Sequence, residues 1–229
     1  MPRSTLLAAL SLLAPRALAE GQATPEPIAV PVPGGCSGLP LYDASTGIAG
    51  PWVIQTNQCT NTTAPGQPCT IEGYGDSVVM RYQSGVSGIY QGYVTIVPRN
   101  DLAKTPLRCN DATSSIEGRV PWGVSGVAWK TVNVSDMAWS APLMWGLDAA
   151  FSRAVEPYHH YVNGVRQDGV FLGAGNVTRW GVKYYETSAG SWGWPYWMLR
   201  LLGPGSEDRA TGEALKQGES TTFIRIYGS

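Results

Sequence analysis

Apolar and polar residues alternate in short runs along most of the chain, and the runs are separated by clusters of Gly, Pro, Asn and Asp. Such spacing predicts β-strands at about 52–55, 77–83, 88–97, 126–134, 137–145, 177–187, 194–202 and 221–227. Eight short strands of this kind point to a mainly β fold, a single antiparallel sandwich, jelly roll or barrel. One segment has a different period: Leu147, Ala150, Phe151, Ala154 and Val155 recur at helical spacing after Asp148, predicting one short helix over 147–156 that ends at Pro157. The polar, Gly-rich stretch 205–220 is expected to be a mobile surface loop between the last two strands.

The C-terminal strands carry the most informative pattern. In 194–202, Trp194, Tyr196, Met198 and Arg200 share one face, while Trp197, Leu199 and Leu201 share the other. Phe223, Arg225 and Tyr227 likewise lie opposite Ile224 and Ile226, and Trp180 and Val182 lie opposite Arg179, Lys183 and Tyr185. The Leu/Ile/Trp197 face reads as core. The face with Trp194, Tyr196, Met198, Arg200, Phe223, Arg225 and Tyr227 reads either as a ligand pocket or as further core. A buried, unpaired charge costs several kcal/mol, so Arg200 and Arg225 each require an acid, carbonyls, water or a ligand. Glu186 is the nearest carboxylate by strand spacing, and an Arg–Glu structural pair is the alternative to a site.

The two ends of the first half add a cellular context. Arg3, the apolar run Leu6 to Ala14 and the triplet Ala17-Leu18-Ala19 form a signal-peptide pattern over residues 1–19. Removing Arg3 and Arg16 takes the formal net charge from -1 to -3. Residues 20–35 are Pro-rich and form an extended lead, and 36–229 form a single β domain. Asn61, Asn133 and Asn176 each open a glycosylation triplet. Cys36, Cys59, Cys69 and Cys109 contain no C-x-x-C pair and read as two disulfides, with Cys59–Cys69 and Cys36–Cys109 preferred among the three connectivities. The expected location is therefore extracellular or the secretory-pathway lumen.

Composition removes other classes. Asp, Glu, Lys and Arg make up 14% of residues and no basic cluster exists, which argues against a nucleic-acid partner. No apolar run is long enough to span a bilayer. Gly173 to Thr178 lacks the third glycine of a dinucleotide motif, and Ser84 to Ile89 has the wrong spacing for a nucleophile elbow. No metal or nucleotide cofactor is called for. Gly50-Pro51-Trp52 resembles the Gly-x-Trp that opens the first strand of lipocalins, a likeness of three residues that keeps a ligand-holding barrel among the architectures without assigning the family.

Three functions remain. The first is a secreted protein that binds a small apolar or aromatic molecule and, if an enzyme, acts as an isomerase, cyclase or lyase through oxyanion stabilisation. The second is a carbohydrate-active jelly roll or glycan-binding module, with carboxylates drawn from Glu72, Asp76, Asp136, Asp168 and Glu186. The third is a non-enzymatic interaction protein. The remaining catalytic candidates are Glu186 and the adjacent histidines, His159 and His160, which point to opposite faces of a strand or diverge by about 100° on a helix, with one ring packed and one in solvent as the structural alternative and Asp168 as the nearest group to orient a ring. Oligomeric state is not encoded in any readable pattern.

Overall fold

The computed structural model describes residues 25–61, 74–78, 90–97, 104–122, 126–137, 139–186 and 195–228, with the backbone alone at 58–61 and 74–78. The chain is mainly β. Its first strands are β1 (Ile28–Pro31), β2 (Tyr42–Asp43), β3 (Ile48–Asn61), β4 (Tyr74–Val78) and β5 (Gly92–Val97). There follow β6 (Leu107–Asn110), β7 (Ser115–Trp122), β8 (Gly126–Ser135), β9 (Leu143–Trp145) and β10 (Ser152–Ala154). The last are β11 (Glu156–Val162), β12 (Val165–Arg166), β13 (Phe171–Gly173), β14 (Arg179–Tyr185), β15 (Tyr196–Leu201) and β16 (Glu219–Tyr227).

Nine of these strands close into an antiparallel barrel by the circuit β3, β16, β14, β15, β5, β9, β8, β7, β6 and back to β3. Closure removes the open edges that such a sheet would otherwise present. Barrel rather than sandwich is thus the outcome. The wall also forks at β16, where Arg179 of β14 lies opposite Phe223 and, two residues on, Phe171 of β13 lies opposite Arg225. From that fork a side wing of β13, β11 and β1 extends.

Alternation sets the two faces of the wall. Ile54, Ile96, Leu143, Trp145, Trp180, Leu199, Leu201 and Ile224 are all fully buried and belong to one apolar core. Trp197 packs against it from the same face of β15. Tyr196, Met198 and Arg200 therefore face outward from the barrel, as do Phe223, Arg225 and Tyr227.

The expected helix over 147–156 does not form. A single 3-10 turn, Ala149–Phe151, is capped by the Asp148 carboxylate, which accepts from the Ala150 amide at 2.9 Å. The next residues pair as strands: Ser152 lies opposite Ser135, and Glu156 opposite Gly173. The residues of the helical pattern also share no buried face, since Phe151 is 71% exposed while Val155 is buried in the core. An isolated segment this short gains too little from its own hydrogen bonds to resist the sheet.

Two other segments are placed by the sheet. Part of the Pro-rich lead is extended, and β1 adds to the edge of β11 with Val30 opposite His159. The stretch 205–218 is a largely exposed loop that leads into β16 at Glu219, and its backbone is tied to the barrel wall by a buried ion pair described below. Cys36 and Cys109 form a disulfide that closes a loop of 73 residues, a constraint that contributes about 4 kcal/mol on the chain-entropy model. It joins the turn after β1 to the barrel strand β6. Cys69 and the Cys59 side chain lie outside the described residues, as do the signal-peptide segment and Trp194.

The three glycosylation triplets fall in different settings. Asn176 is exposed on the turn between β13 and β14, with a left-handed φ of 64°. Asn133 is buried in β8, and its Nδ2 donates to Ser152 Oγ at 3.0 Å. A glycan at Asn133 is incompatible with this fold. The Asn61 side chain lies outside the described residues.

Candidate functional site

The outward face of β14, β15 and β16 holds the residues that the sequence marks as a site, but the register divides them into three groups. At the centre, Gly181 is flanked by Arg200 of β15 and Thr221 of β16. With no side chain at Gly181, Arg200 reaches across to Glu219, whose carboxylate lies 3.2 Å from where a Gly181 Cβ would sit. Arg200 Nε donates to Glu219 Oε1 at 2.9 Å and Nη2 to Oε2 at 2.6 Å, a bidentate pair in which each side chain is 4% exposed. Nη1 also donates to the Ser206 carbonyl and Nη2 to that of Ala214. The Lys216 amide donates to Glu219 Oε2 at 2.8 Å. Arg200 thus clamps the 203–218 loop to the wall. Its partner is Glu219 rather than Glu186, which is exposed at the end of β14.

The second group lies toward β5. Tyr196 stacks on Tyr185 with centroids 5.5 Å apart and an interplanar angle of 12°. Met198 packs against Tyr196 and Val97 in a small cluster separate from the barrel core. Burial, followed by the proximity of Tyr196, raises the phenols of Tyr93 and Tyr185.

The third group sits at the fork of β16. His160 lies flat on Phe171, with centroids 3.7 Å apart and planes within 4°, and meets Phe223 edge-on at 4.8 Å. Its Nε2 shares a hydrogen bond of 2.8 Å with Thr178 Oγ1. Burial lowers its pKa to about 4, so the ring is neutral at physiological pH. Arginines flank this aromatic stack. Arg179 Cζ is 5.9 Å from the Phe223 centroid and its Nη2 pairs with Glu26 at 3.1 Å. Arg225 Nη2 donates to Gln55 Oε1 at 3.4 Å. The Nε atoms of both arginines are buried with no acceptor. Tyr227 is 42% exposed beyond this group.

No protein-family model and no curated protein sequence matches the chain. The functional reading therefore rests on its own geometry. The sequence-marked arginines and tyrosines do not share one pocket: Arg200 is consumed by Glu219, Tyr196 and Met198 belong to the tyrosine group, and Phe223 and Arg225 belong to the fork. Arg179 joins the fork although only its face, not its neighbour, was legible in the sequence. What could have marked it is the Thr178-Arg179 step beside a strand of opposite phase, but no local pattern says that Phe223 lies across from it.

The histidines also differ from expectation. Both are buried, His159 at 8% and His160 at 2% exposure, on opposite faces of β11. Burial, and then the charge of Arg166, lowers His159. Thr178 rather than Asp168 orients the His160 ring, and Asp168 is exposed on a turn. Among the carboxylates of the carbohydrate reading, Asp136 is engaged with Arg153 at 2.7 Å. Glu72 and the Asp76 side chain lie outside the described residues.

Proposed function

We propose that this is a secreted barrel protein that binds a small aromatic or apolar molecule carrying an acceptor oxygen, seated over Phe223 at the fork of β16. The carrying observation is the pair of buried guanidinium Nε atoms left without acceptors, on Arg179, which lies opposite Phe223, and on Arg225, two residues further along β16 and opposite Phe171. Buried donors of this kind are nearly always satisfied, and charged ones cost most when they are not. A carbonyl or enolate oxygen supplies the missing acceptor while the ring system lies on Phe223, the usual combination in small-molecule sites. The Arg225 guanidinium, with Arg179 beside it in an ion pair to Glu26, favours a developing oxyanion, which suits an isomerase, cyclase or lyase step.

The test uses 4-hydroxycoumarin, a planar aromatic enolate, titrated into the mature protein by calorimetry. Arg225→Met is expected to weaken binding by about tenfold or more, the loss of one charged hydrogen bond, with little change in urea stability. Equal affinity in wild type, Arg225→Met and Arg179→Met overturns the reading.

The secretory context supports the same conclusion. The Cys36–Cys109 disulfide suits an oxidising compartment, and no described helix is long and apolar enough to cross a membrane. Expressed in a eukaryotic secretory host, the chain is expected to lose residues 1–19 and to carry glycan at Asn176 but not at Asn133. Intact mass and glycopeptide mapping check this, and an uncleaved chain or an occupied Asn133 in folded protein counts against it.

A further inference from the structure

One group of side chains on the outward face takes no part in the barrel core, the Arg200 clamp or the fork. Tyr185 is the last residue of β14 and Tyr196 the first of β15, and the register sets them directly opposite each other. Residues so paired share a face of the sheet, and both rings leave the wall side by side. Their centroids are 5.5 Å apart and their planes are within 12°. Near-parallel rings at that separation are offset, so that edges rather than whole faces overlap. The carbons ortho to each hydroxyl lie on those edges.

The two rings differ in what surrounds them. Val97 and Met198 pack on Tyr196, which is 4% exposed and is held in place by them. Tyr185 is 38% exposed and open to reagents in solvent. Burial, and then the Tyr196 phenol, raises the phenol of Tyr185, as expected of hydroxyl ends that lie near each other. A fixed phenol thus stands beside an accessible one.

Other tyrosines have different company. Tyr184 is more exposed than Tyr185, but across the same two strands it meets Trp197, with centroids 5.2 Å apart. Tyr90 packs on Trp122. Tyr42 donates its hydroxyl to Asp111 at 2.6 Å, and Tyr158 is fully buried and donates to Glu156.

We infer that Tyr185 and Tyr196 are a dityrosine modification site, joined by a one-electron oxidant of the haem peroxidase class supplied with hydrogen peroxide. The oxidant takes one electron from each phenol, and each hydroxyl releases its proton. The two phenoxyl radicals combine between ortho carbons, and the hydrogen on each of those carbons then moves to the phenolic oxygen, which restores both hydroxyls. One peroxide takes up the two electrons and two protons and becomes two waters. The protein loses two hydrogen atoms and gains one carbon–carbon bond, which ties β14 to β15 beside their hydrogen-bonded ladder. The Cys36–Cys109 disulfide suits the oxidising compartments in which such oxidants act.

The test treats dilute mature protein with a haem peroxidase and hydrogen peroxide and recovers the monomer by size exclusion. The monomer is expected to be lighter by two hydrogen atoms, to fluoresce as dityrosine does, and to yield on digestion a pair of peptides joined at Tyr185 and Tyr196. Tyr185→Phe and Tyr196→Phe keep the stacked rings and are each expected to lose the mass change and the fluorescence. Tyr184→Phe, which removes the more exposed neighbouring phenol, is expected to retain both. An unchanged monomer mass, a link between other residues, a link that persists in Tyr185→Phe, or coupling only between molecules overturns the inference. If either Phe variant does not fold, the mapped link in wild type decides.

Discussion

Replacement of Arg200 by methionine is expected to destabilise the protein by about 3 to 5 kcal/mol, because it leaves the Glu219 carboxylate buried and uncompensated. Arg200 also satisfies the Ser206 and Ala214 carbonyls, so its loss releases the 203–218 loop as well as the ion pair. Glu219→Gln is expected to cost a similar amount from the other side, by stranding the guanidinium. The double variant Arg200→Met with Glu219→Leu is expected to recover much of the loss, since an apolar pair of comparable size needs no desolvated charges. Urea melts of the three variants read these differences directly. Single variants within 1 kcal/mol of wild type would show that the pair is solvated and not structural.

Stability is expected to fall by about 3 kcal/mol between pH 6.5 and pH 4 on account of His160. Its ring is held neutral by burial down to about pH 4, whereas in the unfolded chain it takes up a proton near its ordinary value of about 6.5. The unfolded state therefore binds the additional proton throughout that window. The stabilisation is fully present above pH 6.5, is lost as the pH falls toward 4, and changes no further below it. His159, also lowered by burial, adds to the loss in the same direction. His160→Phe keeps a ring between Phe171 and Phe223 and removes the titrating group. The stability of wild type minus that of this variant should fall by about 3 kcal/mol from pH 7.5 to pH 4 in equilibrium urea unfolding. A constant gap would show that the ring titrates alike in both states.

The aromatic and arginine residues of the C-terminal strands illustrate how far local pattern reaches. Period-two alternation assigned Leu199, Leu201, Ile224 and Ile226 to one face and Arg200, Phe223 and Arg225 to the other, and the barrel buries the first set in its core. Which residues on the second set touch is a different matter. Arg200 meets Glu219 because β15 and β16 both flank β14 at Gly181, and neither strand carries that information in its own sequence. The same limit hid the company of His160, whose contacts Phe171, Thr178 and Phe223 come from three separate segments.

By itself the sequence determined the β class and the two faces of the C-terminal strands, because these follow from side-chain alternation and turn residues acting over short distances. Tertiary structure alone decided closure into a barrel, the fork at β16, the Arg200–Glu219 clamp and the replacement of the 147–156 helix by strands. The physical reason is common to all four. Register and strand order are set by the summed burial of the whole sheet, and a segment of ten residues takes whatever conformation satisfies its backbone hydrogen bonds against neighbours far away in the chain.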